Sequence, residues 1–235
     1  MSIIQPNPKL NVICEDGPVI AVNKPSGVIS QGAPAGMQSL AEQVKDYLRQ
    51  KYNKPGNVYL GIPHRLDRPV SGVSVFTRNS KSAARVSDQF AKRQVTKTYR
   101  AILEHIPSQL EGTLEDWIYR IPDQSRVEIR KQNTTGAKEA RLRYRVLSEH
   151  QGRALVEIDL DTGRMHQIRI QFASRGCPVI GDEKYGAKST LGNPAAIGLH
   201  AWRLSLTHPI RKEAMSITAP LPQAWKQFGF DLNRL

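Results

Sequence analysis

The chain has 235 residues, 39% of them apolar and 23% charged. That length suits one large domain or two small ones, and the composition excludes collagen-like and disordered classes. Lys plus Arg number 34 against 21 Asp plus Glu, giving a net charge of +13 and a pI of about 10.0. This balance points to a polyanionic partner, nucleic acid foremost, over a merely soluble basic protein. The two cysteines, Cys14 and Cys177, have no metal-type spacing and read as free thiols of a reducing compartment. No apolar stretch approaches membrane-spanning length, and the N-terminus lacks the charged start and apolar run of a signal peptide. A cytoplasmic protein is expected.

In chain order, residues 1–10 are Pro- and Asn-rich and read as a loose segment. Val19–Ser30 reads as a strand, a turn at Lys24-Pro25-Ser26-Gly27 and an extended exit. SLAEQVKDYLRQKY predicts an amphipathic helix capped by Ser39, with Leu40, Val44, Tyr47 and Leu48 on one face and Pro55-Gly56 closing the unit. A polar stretch, GIPHRLDRPVSG, then leads into a β-type run at Val73–Thr77. NSKSAARVSDQFAKRQ predicts a second helix with Ser80 as cap and Ala83, Val86 and Phe90 along one side. TKTYRAILEH alternates as a strand, with Tyr99, Ala101 and Leu103 facing one way. The segment 107–150 is polar and basic with short β-like pieces, and RALVEIDL is a strand closed by Asp161-Thr162-Gly163. A helix is predicted over residues 164–175, ending at Gly176, and two terminal strands over LHAWRLSLTHP and AMSITAPLP. Strands and helices mix without regular βαβ alternation, which argues for an α+β fold in which the first 60 residues share the sheet.

His64, Arg65, Asp67 and Arg68 crowd together beside an apolar strand. Charged groups near a core are costly unless paired or functional, so Asp67 is either part of a structural Asp–Arg turn or a working carboxylate. In TGRMHQIRIQFASRG, Met165, Ile168 and Phe172 recur at helical spacing, and Arg169 lies inside that buried stripe. An arginine there either snorkels to the surface or meets a carboxylate, for which Asp67 is the candidate; the pair would keep Asp67 ionised and oriented. Tyr99 is a core residue with a wet hydroxyl or a wall on which a base stacks.

Together these blocks resemble the RluA-type family of RNA pseudouridine synthases. HRLDRPVSG matches the family's HRLD-x-x-(T/V)-SG block, and GRMHQIRIQFASRGCPVIGDEKYG its GR-x-HQIR and GDxxYG blocks. AVNKPSG resembles the VNKPxG entry, KTYRAIL the K-x-Y-x-A strand, and LHAWRLSLTHP with ITAPLP the closing blocks. Order and spacing agree from about residue 15 to residue 222.

The resemblance implies a loose segment 1–10 and one catalytic domain over 11–235. Its fold would be α+β, with a mixed, largely antiparallel central β-sheet flanked by helices and a central RNA-binding cleft. It implies isomerisation of uridines in rRNA, tRNA or both, without metal or other cofactor. By position Asp67 would be the catalytic aspartate, Arg169 its partner, and Tyr99 the residue that packs on the base and assists loss of the C5 proton. Arg65 would hold the place of the extruded nucleotide and Ile168 would line the uracil pocket, with His64, Leu66 and Gln167 also beside the substrate. Val70, Met165 and Cys177 depart from the residues frequent in the family. No S4-type module is expected, so the catalytic domain itself would grip RNA. The expected grips are Lys92, Arg93 and Lys97 and the basic run Arg126, Arg130, Lys131, Lys138, Arg141, Arg143 and Arg145. A monomer without membrane association is expected. The competing readings are a non-catalytic RNA-binding or assembly protein on the same fold, and a glycosidase-like hydrolase, which lacks an obvious second carboxylate.

Overall fold

The computed structural model describes residues 10–232. The expected loose segment falls, except for Leu10, outside the described residues. Ten strands form one sheet. A hairpin of β1 (Val12–Asp16) and β2 (Val19–Lys24) starts it at one edge, and β2 pairs antiparallel with β3 (Ser71–Thr77). Next come β9 (Leu199–Thr207), β4 (Thr96–Leu103), β8 (Arg153–Leu160), β7 (Lys138–His150), β5 (Glu111–Arg120) and β6 (Val127–Arg130); β10 (Ala214–Thr218) pairs with β9. The pairing of β3 with β9 is the parallel one, and it makes the sheet mixed.

That junction depends on Gly72. Its φ is +116°, and a Cβ there would lie 2.3 Å from the Ala201 carbonyl oxygen. A side chain is excluded by contact and by backbone conformation together, so β3 and β9 close at the end of the HRLD segment only through glycine.

Helix α1 (Leu40–Lys51) forms as predicted, with a capping box in which Ser39 and Glu42 satisfy each other's backbone N–H groups. Leu40, Val44 and Leu48 bury against Ile20, Val22 and Phe76 on one face of the sheet. Helix α2 (Ser80–Ala91) is capped by Asn79, not Ser80: the Asn79 side chain accepts from the Ser82 N–H at 2.8 Å. The sequence offers two cap residues in succession, and the first, an equally good cap, is used.

Two expectations change. The segment 107–150 forms three strands, including the 13-residue β7. In β7, Ala140, Leu142 and Tyr144 point inward while Arg141, Arg143 and Arg145 point out, so the alternation sits within a basic, weakly apolar run. Helix α3 is shorter than predicted, Gln167–Ala173, because His166 before it is left-handed with φ 53°. Residues 164–166 form a turn that Gln167 holds by accepting the Arg164 N–H.

Candidate active site

The HRLD loop lies at the β3–β9 junction and is fixed from below by the KPSG turn. Ser30 Oγ donates to the Leu66 carbonyl at 2.7 Å and accepts from the Leu66 N–H. Gly27 and Arg68 exchange hydrogen bonds, N–H to O at 2.8 Å and Nε to O at 3.0 Å. Lys24 is fully buried, and burial pushes its amine down to about 7 against the pull of Asp67. Its Nζ donates to the carbonyls of Pro25, Val28 and Arg68, the last at 3.0 Å. Three carbonyl acceptors require the three protons of an ammonium, so the geometry favours the charged form.

Asp67 emerges from this loop with its side chain about a third exposed, at 32%. Arg169 on α3 reaches it through Nη1 at 3.3 Å. The expected pair is therefore present, and Arg169 does not snorkel: its side chain is 4% exposed. Asp67 is not its main partner, however. Asp182 takes the fork of the guanidinium in a bidentate pair, Nε to Oδ2 at 2.6 Å and Nη2 to Oδ1 at 2.8 Å, with its own side chain 1% exposed. Burial works against the Arg169 charge, but these carboxylates outweigh it and hold the guanidinium above its ordinary value.

His166 completes the cluster. Its Nε2 faces Asp67 Oδ2 at 3.5 Å and its Nδ1 lies 2.8 Å from the Tyr185 hydroxyl. The Arg169 guanidinium sits 5.1 Å from the centre of the Tyr185 ring. Burial pushes His166 down to about 4, so the ring is neutral near pH 7.

The cluster opens into a cleft of about 290 Å³, lined by every residue for which the resemblance implies a catalytic or substrate-binding role: His64, Arg65, Leu66, Asp67, Tyr99, Gln167, Ile168 and Arg169. Leu66 and Ile168 are buried apolar walls, and Tyr99 is half-buried on β4. Burial, seconded by the charge of Asp67, pushes the Tyr99 phenol up, so it is held protonated and faces the cleft as a donor. His64 is pinned: its Nε2 accepts the Val75 N–H at 2.9 Å, on the stretch of β3 that β9 leaves unpaired, and its ring stacks on Phe90. Burial pushes it down to about 4, leaving a neutral ring with Nδ1–H as its remaining donor. Gln167 lines the cleft, but its amide is engaged with Thr162, the Arg164 N–H and the Arg141 carbonyl, so it shapes the wall and has little left to offer a ligand.

Arg126 of the basic run sits over the Tyr185 ring at 5.8 Å, but the arginines of β7 lie elsewhere. Strand alternation sends Arg141, Arg143 and Arg145 to the face opposite Leu142 and Tyr144, which pack toward the cleft side. These arginines pair with Glu115, Asp161 and Glu157. Among the described residues the cations lining the cleft, besides Arg169, are Arg65, Lys97 and Arg164. Burial, and then Arg93, lower the Lys97 amine, which makes it a responsive partner for an anion.

Sequence reasoning missed Asp182, Tyr185 and His166. GDEKYG has the composition of a turn, and it does form one, a 3-10 turn over Glu183–Tyr185. The available signal was the cost of burying Arg169, which one half-exposed carboxylate does not offset.

Among the described residues, no helix is long and apolar enough to cross a membrane, and no group of His, Cys, Asp or Glu is placed to hold a metal ion. A family model described as RNA pseudouridylate synthase matches residues 18–174. An uncharacterized RNA pseudouridine synthase of Bacillus subtilis, YlyB, is 32% identical over 217 residues, covering 91% of this chain and 70% of that protein. Ribosomal large subunit pseudouridine synthase D of Xylella fastidiosa is 33% identical over 232 residues, 91% of this chain and 66% of that one. The solved structure of human RNA pseudouridylate synthase domain containing 4 superposes with a TM-score of 0.77 at 25% identity, covering 93% of each chain. The matched span carries the HRLD loop, Tyr99 and the HQIR helix around one cleft, and the chain belongs to the RluA-type family of RNA pseudouridine synthases, isomerases that act on RNA.

Proposed function

We propose that this chain converts selected uridines of ribosomal or transfer RNA to pseudouridine, with Asp67 as the catalytic carboxylate. The observation that carries this reading is that Asp67 is the one carboxylate lining the cleft among the described residues, half-open to it and tied to a cation on its far side. A cleft of about 290 Å³ is at the small end for ligand sites, so it takes one extruded nucleotide and not a duplex. Asp67 stabilises or attacks the sugar or base as the N1–C1′ bond breaks. The uracil turns between Tyr99 and the apolar walls of Leu66 and Ile168, C5 bonds to C1′, and the C5 proton leaves as N1 gains one. Tyr99, held protonated, serves as wall and hydrogen-bond donor. Its part in removing the C5 proton requires that it first pass its own proton on. Arg65 is exposed at the mouth, where it replaces the extruded nucleotide in the stack.

Hydrolysis fits less well. It needs a second carboxylate to protonate the leaving group, and Asp182 is buried and gripped by Arg169. Ribosomal RNA has support from the name of the Xylella relative. The test is tritium release from RNA labelled at C5 of uridine, with rRNA and tRNA as separate substrates. Release by the wild type and none by a folded, RNA-binding Asp67→Ala variant is expected; undiminished release by that variant removes Asp67 from the mechanism, and free uracil among the products would restore the hydrolase.

A further inference from the structure

Asp67 has two oxygens, and the protein treats them differently. Arg169 Nη1 and His166 Nε2 both approach Oδ2, at 3.3 and 3.5 Å, and no described residue donates a hydrogen bond to Oδ1. Whether His166 helps or hinders depends on which of its nitrogens carries the proton.

The surroundings decide that. The Tyr185 hydroxyl accepts the Val127 N–H at 3.1 Å and lies 2.8 Å from His166 Nδ1. Burial raises the Tyr185 phenol, so it keeps its proton. That proton has His166 Nδ1 as its acceptor among the described groups, because the other neighbour of the hydroxyl is itself a donor. Nδ1 must then be bare, and a neutral imidazole with bare Nδ1 carries its proton on Nε2, facing the carboxylate. The backbone N–H of Val127, on β6, thus sets the direction of a chain that runs by hydrogen bonds through Tyr185 to His166 and ends in the 3.5 Å approach of His166 Nε2 to Asp67.

We propose that His166 is a positioning residue, held in its Nε2–H form by Tyr185, which with Arg169 engages Oδ2 of Asp67 and leaves Oδ1 as the oxygen presented to the uridine. This rests on Asp67 being the catalytic carboxylate. The charged groups acting on His166 are Asp67 and Asp182, which favour its charged form, and Arg169 and Lys184, which oppose it. A second cation beside Arg169 is thereby avoided, and a neutral donor orients the carboxylate without pairing off its charge.

Two substitutions separate the halves of the ring. His166→Asn would place a carbonyl where Nδ1 stands, keeping Tyr185 but losing the donor to Asp67. His166→Gln would place an amide N–H near the site of Nε2, keeping the donor but losing Tyr185. Because position 166 is left-handed, His166→Asn is the less strained of the two. A purely structural role therefore ranks Asn above Gln in both stability and turnover. The proposal inverts the order for turnover. His166→Asn is expected to lose on the order of 100-fold in kcat with KM for RNA unchanged, as for a misplaced catalytic group, and His166→Gln to recover to within about 10-fold of wild type. Independently, the two-bond ¹H–¹⁵N spectrum of histidine-labelled protein should read His166 as Nε2–H, moving toward Nδ1–H in Tyr185→Phe. An Nδ1–H ring in the wild type, or equal losses in the Asn and Gln variants, overturns the proposal. Asp67→Ala runs alongside: if it keeps turnover, the reading of Asp67 fails and takes this proposal with it, whereas an inactive Asp67→Ala beside equal Asn and Gln variants sinks this proposal alone.

Discussion

Asp182→Asn is the sharpest perturbation of the site, because Asp182 does not itself line the cleft and its side-chain hydrogen bonds go to Arg169, which does. The side chains of the pair are 4% and 1% exposed, so water cannot replace the lost charge. Removing one partner from a buried ion pair typically costs about 3–5 kcal/mol. The amide also turns a donor toward the guanidinium, so one of the two hydrogen bonds becomes a donor–donor contact. In a chain of this size that lowers the melting temperature by roughly 10 °C. The double variant Arg169→Met, Asp182→Leu removes both charges, and replacement of a buried pair by apolar groups of similar volume is near neutral. It should therefore recover most of the stability while staying inactive, since Asp67 has lost its cation. Urea unfolding and C5 tritium release on the three proteins read the two quantities separately. A single variant that unfolds at the wild-type midpoint, or a double variant with wild-type turnover, would refute the view that Asp182 anchors the cation Asp67 needs.

The remaining predictions concern the base wall, the RNA grip and acid stability. Tyr99→Phe keeps the ring and removes the donor, so kcat should fall about 100-fold with RNA affinity unchanged; Tyr99→Ala should also weaken binding, by about 1–3 kcal/mol of lost stacking. Equal behaviour of the two variants would leave the hydroxyl without a role. RNA affinity should fall steeply with salt, and Arg65→Ala and Lys97→Ala should each flatten the log–log slope by about 0.7–0.9, whereas Arg141→Ala and Arg143→Ala, on the far face and paired, should leave it unchanged. The reverse pattern would move the RNA to the far face. His166 and His200 are both depressed to about 4 by burial from an ordinary 6.5, so on acidification the unfolded chain takes up protons first. Stability is then full above pH 6.5 and declines between 6.5 and 4, by on the order of 3 kcal/mol for each ring. Urea midpoints at pH 7 and 4.5 check this above the window of Glu15, which is held at about 2 and acts only at lower pH; equal midpoints would mean these rings are protonated at little cost when folded.

Much of the fold was legible in the sequence because its signals were local. Ser39 and Glu42 fix the start of α1, and the alternation of Tyr99, Ala101 and Leu103 fixes the inward face of β4. Where several levels of signal had to be combined, the reading slipped. β7 hides its alternation under arginines, and α3 begins late because a left-handed His166 interrupts what looks like continuous helical periodicity. The site shows the same division. Asp67 and Arg169 were found because a charge inside an apolar stripe demands a partner. Asp182 and Tyr185 come from a segment with no periodicity at all, placed by the tertiary fold at 2.6 Å from Arg169 Nε and 2.8 Å from His166 Nδ1. The placing of the basic run was not legible for a related reason: composition gives the number of charges, but only the strand register says which face Arg141, Arg143 and Arg145 leave from and which carboxylates meet them.

The sharing of one arginine between two carboxylates has a chemical logic. Had the guanidinium fork closed on Asp67, both of its oxygens would be engaged and its charge paired before the substrate arrived. Stabilising the ground state in that way raises the barrier by as much as it strengthens the pair. The structure instead gives the fork to Asp182, which is buried and does not line the cleft, and leaves Asp67 a single Nη1 contact at the longer distance of 3.3 Å. Asp182 thus takes on the orienting of Arg169. The pair together carries almost no net charge, so Asp67 faces an oriented dipole with its positive end forward and keeps most of its own reactivity. The difference in exposure, 32% for Asp67 against 1% for Asp182, follows from the same arrangement: the carboxylate that anchors Arg169 is sealed, and the one proposed to react stays at the edge of the cleft, where its second oxygen is open to a ligand.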